Sequence, residues 1–387
     1  MCSSDLLVLL AVLLALAAPA ADAPLPGLTV SNGLFLLRGA PVRAVGVNYF
    51  SLFSRTLANP GDRSYETGLR QLADAGIPFV RFMACGFWPA DWDLYLTDKP
   101  AYFARLDAVV RCAEAHRIAL VPSLFWHIAT VPDLVGEPLD QLGNPDSKTH
   151  AFIRQYTRET VTRYRTSPAV WAWEFGNEYA LHADLPNADK HRPAVWPTLK
   201  TAPVRTSRDD LTSAAMLTAF GLFARTVREL DPSRPLITGN ALPRPYAYHN
   251  SLDKSWAPDT PEQFASVLLR DNPDPFDTLS VHIYPKPTLP YPGGSPTLAQ
   301  LVADLQTLAR RHRKPLFIGE FGAPATLPPD EENARFDELL QAIRDNAVPL
   351  SALWVFDFPH QDKDWNVTFA NRRAYMLQRV AAANCTD

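Results

Sequence analysis

Eight short apolar runs alternate with eight amphipathic segments along the chain, and this alternation limits the fold more than any other feature of the sequence. Continuous apolar runs are typical of strands in a parallel sheet that is covered on both faces. Eight strand–helix units in succession therefore predict an α/β fold, a single (β/α)8 TIM barrel. An open doubly wound sheet is the structural alternative, but no strand is followed by a glycine-rich phosphate-binding motif. We predict strands at 44–50, 77–83, 118–125, 169–175, 236–239, 277–284, 315–320 and 350–356, and helices at 64–75, 101–116, 149–165, 211–230, 261–271, 297–312, 331–345 and 370–383.

The first 23 residues are expected to lie outside the folded domain. An unbroken apolar run at 6–18 is followed by the small residues Ala21-Asp22-Ala23, which resemble a signal-peptidase site. The segment before this run departs from the usual pattern because it carries no Lys or Arg. We predict a signal peptide at 1–23, a catalytic barrel at 24–387, and a secreted or periplasmic protein with no membrane span in its mature form. Strand-like residues around Ser31-Asn32-Gly33 predict a short β-hairpin before the barrel.

Composition excludes some partners and leaves other questions open. A net charge of −4 argues against a general nucleic-acid binder, which carries a basic face. We expect a monomer. Without the signal, Cys85, Cys112 and Cys385 remain, and their spacing supports neither a zinc knuckle nor a disulfide framework. Two short sequons begin at Asn366 and Asn384.

Chemically capable side chains concentrate at the carboxyl ends of the predicted strands, where TIM barrels carry their active sites. Glu178 and Glu320 end the fourth and seventh strands, so both face the barrel mouth. A protonated and an ionised carboxyl group on two sides of a cleft are what glycosidic cleavage requires. The other candidates at this rim are Asn48, Arg81, Trp126, His127, Asn177, His282, Tyr284 and Trp354.

These motifs carry a family resemblance. The fourth-strand sequence Trp-Glu-Phe-Gly-Asn-Glu at 173–178 and the seventh-strand sequence Ile-Gly-Glu-Phe-Gly at 318–322 resemble the signatures of the large clan of retaining (β/α)8 glycosidases. His282-x-Tyr284-Pro285, Arg81 and Trp354 resemble its motifs on strands 6, 2 and 8. Within the clan, the chain is most similar to glycoside hydrolase family 5, the cellulase and β-mannanase family, over roughly residues 28–380.

The resemblance implies a role for each matching residue. Glu178 is implied to be the acid/base and Glu320 the nucleophile. Asn177 is implied to bind the sugar 2-hydroxyl, and Trp354 to form the floor under the reacting sugar. Arg81 and Tyr284 would orient Glu320, and His282 would support Glu178. Asn48, Trp126 and His127 complete the set of residues predicted at the substrate site, although many family members have a pair of histidines where this chain has only His127.

Substrate and mechanism remain open from the sequence. We expect a β-1,4-linked polysaccharide or oligosaccharide, with mannan as the first guess and β-glucan as the second. No cofactor is expected. A non-catalytic carbohydrate-binding barrel is one alternative. A metal-dependent hydrolase is another, but no metal-binding spacing of histidines supports it. The long segment 179–210 after the fourth strand is interpreted as a wall of the substrate cleft.

Overall fold

A small antiparallel sheet precedes the barrel in the computed structural model, which describes residues 26–285 and 297–385. The predicted signal peptide lies outside the described residues. Strands β1 (Leu28–Ser31) and β2 (Leu34–Leu37) form the predicted hairpin, and β3 (Ala40–Pro41) pairs with β2 as a third strand that the sequence analysis missed. Asn32 and Gly33 at the turn have positive φ values of 50° and 76°, as this tight turn requires.

Eight parallel strands form a nearly closed barrel, which confirms the predicted fold class. In the sheet they follow the order β8-β7-β6-β5-β4-β11-β10-β9. The gap between β8 and β9 is bridged by the Asp277 amide and the Thr278 hydroxyl, each of which donates to the Leu236 carbonyl at 3.2 Å. The barrel strands are β4 (Ala44–Asn48), β5 (Phe79–Met83), β6 (Ala119–Phe125), β7 (Trp173–Gly176), β8 (Leu236–Ile237), β9 (Leu279–Ile283), β10 (Leu316–Phe321) and β11 (Leu350–Leu353).

The helices surround this barrel, and seven of the eight predicted segments are matched within about two residues. The last begins at Ala374 rather than at 370. The short helices were not predicted, because they lie in loops with too few residues for a periodic pattern. The helices are α1 (Ser54–Ala58), α2 (Ser64–Asp74), α3 (Asp93–Thr97), α4 (Lys99–His116), α5 (Thr130–Val135), α6 (Lys148–Tyr164), α7 (Ser213–Arg228), α8 (Ala247–Leu252), α9 (Pro261–Arg270), α10 (Leu298–Arg311), α11 (Pro329–Asp345) and α12 (Ala374–Asn384).

The N-terminal hairpin closes the end of the barrel that is opposite to the predicted site. Leu28 and Phe35 pack in a separate apolar cluster with Phe79, Trp171 and Phe317, which lie near the amino ends of their barrel segments. Phe79 and Trp171 stack with ring centroids 5.8 Å apart. The hairpin covers the amino end of the barrel, so the carboxyl end of the strands is the accessible end.

Both sequon asparagines use their side-chain amides within the fold. Asn366 is 3% exposed, and its Nδ2 donates to Asp362 at 2.5 Å. Asn384 exchanges two hydrogen bonds of 2.9 Å with the backbone of Val45. An N-linked glycan replaces one of the two hydrogens on this nitrogen, so glycosylation at Asn384, whose Nδ2 donates to both Val45 and Val380, requires one of these hydrogen bonds to break. The three described cysteines are unpaired; Cys85 is buried and Cys385 is exposed.

Candidate active site

Two glutamates from different parts of the barrel meet at its carboxyl end. Glu178 follows β7 in a left-handed backbone conformation (φ 55°), and Glu320 lies near the end of β10. One carboxylate oxygen of each, together with a ring nitrogen of His282, all lie within 4.8 Å of one another. The Glu178 side chain is 29% exposed, whereas that of Glu320 is 6% exposed. The two carboxylates therefore share one site but differ in their access to water.

The buried guanidinium of Arg81 lies beneath this pair and donates hydrogen bonds through all three of its nitrogens. It forms a salt bridge with Glu174, with Nε and Nη2 each 2.8 Å from a carboxylate oxygen. Nη1 donates to Glu320 at 2.9 Å and to Asn48 at 3.0 Å. Nη2 also donates to Asn177 at 2.7 Å. Arg81 is fully buried, so it acts on its neighbours and has no surface with which to touch a ligand.

The two asparagines bonded to Arg81 lie at different depths. A guanidinium can only donate hydrogen bonds, so Asn177 accepts from Arg81 through Oδ1. The Nδ2 donor of Asn177 is then directed away from Arg81. Asn177 lines the cleft above the carboxylates. Asn48 is fully buried, accepts from Arg81 and donates to the Gly319 carbonyl at 2.8 Å. Asn48 therefore lies below the cleft floor, while Asn177 is at its surface.

His282 and Tyr284 each contact one of the carboxylates. His282 Nδ1 lies 2.8 Å from Glu178 Oε1, and the Tyr284 hydroxyl donates to Glu320 Oε2 at 2.6 Å. Burial lowers the pKa of His282 to about 4, so its ring is neutral at ordinary pH. A neutral ring at Nδ1 can donate to an ionised Glu178 and can accept from a protonated one, according to its tautomer. His282 is thus compatible with both protonation states of Glu178.

The small residue Gly319 makes room for the His282 ring. A Cβ atom at this position would lie 2.9 Å from His282 Nε2 and 3.1 Å from Cδ2. We expect Gly319→Ala to tilt the ring, lengthen the bond to Glu178, and lower kcat about tenfold, with a stability loss of about 1–3 kcal/mol typical of overpacking. Gly221→Ala on α7, where the nearest atom is the end of the Arg225 side chain at 3.2 Å, is the matched control. Unchanged kcat in Gly319→Ala, measured beside a thermal melt, would contradict this role for His282.

Burial dominates the electrostatics of Glu320. Burial raises the pKa of Glu320 above the usual 4.5 and the Glu178 charge raises it further, while Arg81 and the hydrogen bond from Tyr284 lower it. Burial and the Glu320 charge also raise the pKa of Tyr284 well above 10.0, so this phenol stays protonated and remains a donor. The site therefore holds a carboxylate whose ionisation depends on Arg81 and Tyr284.

The carboxylates open into a cleft of about 980 Å³ whose middle section is aromatic. Trp354 lines the cleft and donates through Nε1 to Gln361 at 2.9 Å. Trp126 stacks beside it with ring centroids 6.0 Å apart, and its own ring lies 4.4 Å from the Arg81 guanidinium. Fixed indole faces of this kind can cover the apolar C–H face of a sugar ring.

Three sequence-based interpretations are not matched by the residues that line the described cleft: those of Asn48, of His127 and of segment 179–210. His127 packs against Phe87 and Trp88, with ring centroids 5.0 Å and 5.1 Å away, and lies behind the lining residues. No residue of the segment 179–210 lines the cleft either. That segment is held against the outer rim by the ion pairs Arg205–Asp133 and Lys200–Asp93.

Two residues at the site were missed by the sequence analysis. Glu174 is fully buried and holds Arg81, and its charge inside an apolar strand was the available signal, because a buried charge needs a partner. Trp365 lines the cleft and packs edge-on against Tyr284, with ring centroids 4.8 Å apart. Nothing in its loop sequence distinguished it from other tryptophans.

A cation is chemically possible at this site. Within the described residues, Glu178, His282 and Glu320 form the one group of three ligand-type side chains close enough to hold a metal ion. The same three groups are also hydrogen-bonded to one another or to Arg81 and Tyr284, and a metal would have to displace these contacts. In the described parts of the chain, none of the helices has the length and apolar character needed to cross a membrane.

Comparisons with known proteins agree with this geometry. The family Cellulase (glycosyl hydrolase family 5) matches residues 38–357. A probable mannan endo-1,4-beta-mannosidase F from Aspergillus flavus is 36% identical over 81 residues, which is 19% of this chain and 17% of that protein, so the chain aligns with only a small part of its curated relative.

Solved structures resemble the chain over nearly its whole length. An endo-1,4-beta-mannanase from Rhizomucor miehei superposes with a TM-score of 0.64 at 16% identity, covering 93% of this chain and 100% of the other. An endoglucanase from Pseudomonas stutzeri gives a TM-score of 0.53 at 17% identity, covering 94% and 98%. At this identity the two structures support the barrel fold. Because the family match covers most of the sequence, the chain belongs to glycosyl hydrolase family 5.

Proposed function

We propose that the protein cleaves β-1,4-linked polysaccharides or oligosaccharides by double displacement with retention of configuration, with mannan as the first candidate substrate and β-glucan as the second. The observation that carries the mechanism is the approach of the Glu178 and Glu320 oxygens within 4.8 Å. Retaining enzymes hold their two carboxyl groups about 5–5.5 Å apart, whereas inverting enzymes separate them by about 6.5–9.5 Å to admit a water.

In the proposed mechanism the two glutamates have different tasks. Glu320, held by Arg81 and Tyr284, attacks the anomeric carbon and forms a glycosyl ester. Glu178, the more exposed of the two, donates its proton to the departing oxygen and then takes a proton from the incoming water. Asn177 donates through Nδ2 to the sugar 2-hydroxyl.

Mannan is preferred over β-glucan because named mannan hydrolases occur both among the sequence relatives and among the structural neighbours. The neighbouring endoglucanase keeps β-glucan as the second candidate. The test is hydrolysis of a panel of soluble mannans, glucans and aryl β-glycosides, with the anomer of the first product followed by NMR. A first product of inverted configuration would rule out double displacement.

The same panel separates the two alternatives. A non-catalytic barrel would bind a polysaccharide in calorimetry but release no reducing ends. A metal-dependent hydrolase built on Glu178, His282 and Glu320 would lose its activity on dialysis against a chelator and regain it with the metal. For double displacement we expect no change on chelation.

The pH profile provides a further prediction. Only an ionised Glu320 can attack, so kcat/KM should fall as the pH drops through its pKa, which burial raises above 4.5. Tyr284→Phe removes a donor to the carboxylate and should move this acid limb to still higher pH. The measurement is kcat/KM of an aryl glycoside against pH for both proteins. An acid limb below pH 4.5 in the wild type, or one that moves downward in Tyr284→Phe, would contradict this assignment.

We also propose that residues 1–23 direct export and that the mature protein is a monomer that binds no nucleic acid. The apolar run at 6–18 supports export. N-terminal sequencing of exported protein and size-exclusion chromatography test these points.

A further inference from the structure

The cleft continues beyond its aromatic section to a polar end that none of the proposed catalytic roles uses. This end, here called the distal polar site, is formed by residues that follow the first and eighth barrel strands: Ser54, Arg55, Asn59, Asp62, Ser64 and Asp357. In a ring of eight strands these positions lie next to each other and across the barrel from the fourth strand, which carries Glu178. The cleft volume of about 980 Å³ is at the upper end of the range of about 300–1,000 Å³ for ligand sites.

The position of this site relative to Glu178 defines which part of a substrate would reach it. Glu178 protonates the oxygen of the leaving group in the proposed mechanism, so the leaving chain extends on the side of the fourth strand. The part of the chain that stays bound to Glu320 extends the other way, past Trp354. The distal polar site therefore faces sugar units on the non-reducing side of the cleaved bond.

Arg55 builds this site but has no donor left for a ligand. Its Nε donates to the Ser51 carbonyl, Nη1 to Ser64 Oγ and Asp357 Oδ2, and Nη2 to Ser51 Oγ and the Asp357 carbonyl, at 2.7–3.2 Å. These are all five donors of a guanidinium. Arg55 therefore joins the loops after the first and eighth strands and partly compensates the Asp357 charge.

Asp62 is the group at this end that can bind a ligand. Both of its hydrogen bonds within the described residues, from the Ser64 amide at 2.8 Å and hydroxyl at 2.6 Å, reach Oδ1. This leaves Oδ2 as an acceptor on the cleft surface. Two carboxylates, Asp62 and Asp357, and one guanidinium, Arg55, give the site a formal net charge of one negative unit. Such a surface accepts hydrogen bonds from hydroxyl groups and repels carboxylates.

We propose that the distal polar site binds the hydroxyl groups of a neutral hexose unit remote from the cleaved bond, with Asp62 as the specificity-determining acceptor, and that it selects against acidic sugars. This inference deepens the proposed function and rests on it. It implies that substrate length, beyond the reacting unit, contributes to kcat/KM through binding at this end.

The test compares substrates of different length in two matched variants. Asp62→Ala removes the acceptor. Asp98→Ala is the control, because Asp98 also accepts a hydrogen bond from a backbone amide at the start of a helix, in this case α4, at 3.0 Å. Asp98 does not line the cleft. With mannooligosaccharides long enough to reach the site, Asp62→Ala should lose about 10- to 100-fold in kcat/KM, the effect of losing a hydrogen bond to a charged group. An aryl β-mannoside has no sugar unit beyond the reacting one on the non-reducing side of the cleaved bond and does not reach this site, so Asp62→Ala should cleave it as well as the wild type does.

The proposed selection against acidic sugars is tested by measuring binding affinities. Calorimetry in the inactive Glu320→Gln background compares a mannooligosaccharide with the same compound oxidised to a carboxylate at C6 of its non-reducing unit. The oxidised compound should bind at least tenfold more weakly, and Asp62→Asn should reduce this difference.

Several results would overturn the inference: equal losses on the aryl glycoside and the long substrate, no loss on either, an equal loss in Asp98→Ala, or no discrimination against the oxidised compound. Failure of the proposed function has a different signature. In that case the wild type would cleave neither the oligosaccharides nor the aryl glycoside, whatever residue occupies position 62.

Discussion

Replacing Glu320 with glutamine is expected to reduce turnover on the order of 10⁴- to 10⁶-fold, the scale seen when a nucleophile is removed. An amide fills the same volume as the carboxylate, but it cannot form the glycosyl ester. The glutamine oxygen can still accept from Arg81 at the position where Glu320 Oε1 now lies, 2.9 Å away. The fold and the affinity for oligosaccharides should therefore remain close to those of the wild type.

A second buried glutamate provides the control. Glu332 is fully buried and paired with Arg373 and Arg372, far from the cleft lining. Glu332→Gln also removes a buried charge from an arginine partner, and losing one member of such a pair costs about 3–5 kcal/mol in stability. It should lower the melting temperature and leave kcat per folded molecule unchanged. Near-normal turnover in Glu320→Gln would remove Glu320 from the mechanism.

Glu178→Ala is expected to affect substrates according to their leaving group. Cleavage of polysaccharide should fall about 10²- to 10⁴-fold, because a poor leaving alcohol depends on a general acid. An aryl glycoside with an activated phenolate should form the glycosyl ester at a rate much closer to normal. The ester should then accumulate, since no base remains to activate water.

Azide distinguishes the roles of the two glutamates. Added azide, an anion that needs no base, should restore turnover of Glu178→Ala and yield the β-glycosyl azide. In Glu320→Ala, azide would attack directly and give the α-product. Product configuration by NMR is the measurement. A β-product from the Glu320 variant and an α-product from the Glu178 variant would show that the two roles are reversed.

The barrel and the order of its rim residues were predictable because each strand is a local pattern. Glu178, His282 and Glu320 follow such patterns directly, and the structure brings all three together. The fourth strand was placed too early, at 169 rather than Trp173, because residues 169–172 are equally apolar. Trp171 and Ala172 pack at the closed end of the barrel, and Val170 makes only an isolated bridge to Leu120.

Contacts between distant segments were not predictable, since they depend on how neighbouring strands align in register. Arg81 and Glu174 are 93 residues apart, and the sequence around either residue does not indicate that the two form a pair. The distal polar site joins Arg55 and Asp357, which are 302 residues apart. The position of segment 179–210 similarly depends on ion pairs between distant residues, such as Arg205–Asp133.

Arg81 is paired with two carboxylates, Glu174 and Glu320, and only Glu320 takes part in the proposed reaction. When Glu320 becomes an ester in the proposed intermediate, it loses its negative charge while Arg81 remains buried and protonated. Glu174, which lies 2.8 Å from both Nε and Nη2 of the same guanidinium, takes no part in the ester and keeps its salt bridge with Arg81. The guanidinium therefore keeps a second carboxyl partner in the state where Glu320 is an ester, and formation of the intermediate does not leave Arg81 without a partner inside the barrel.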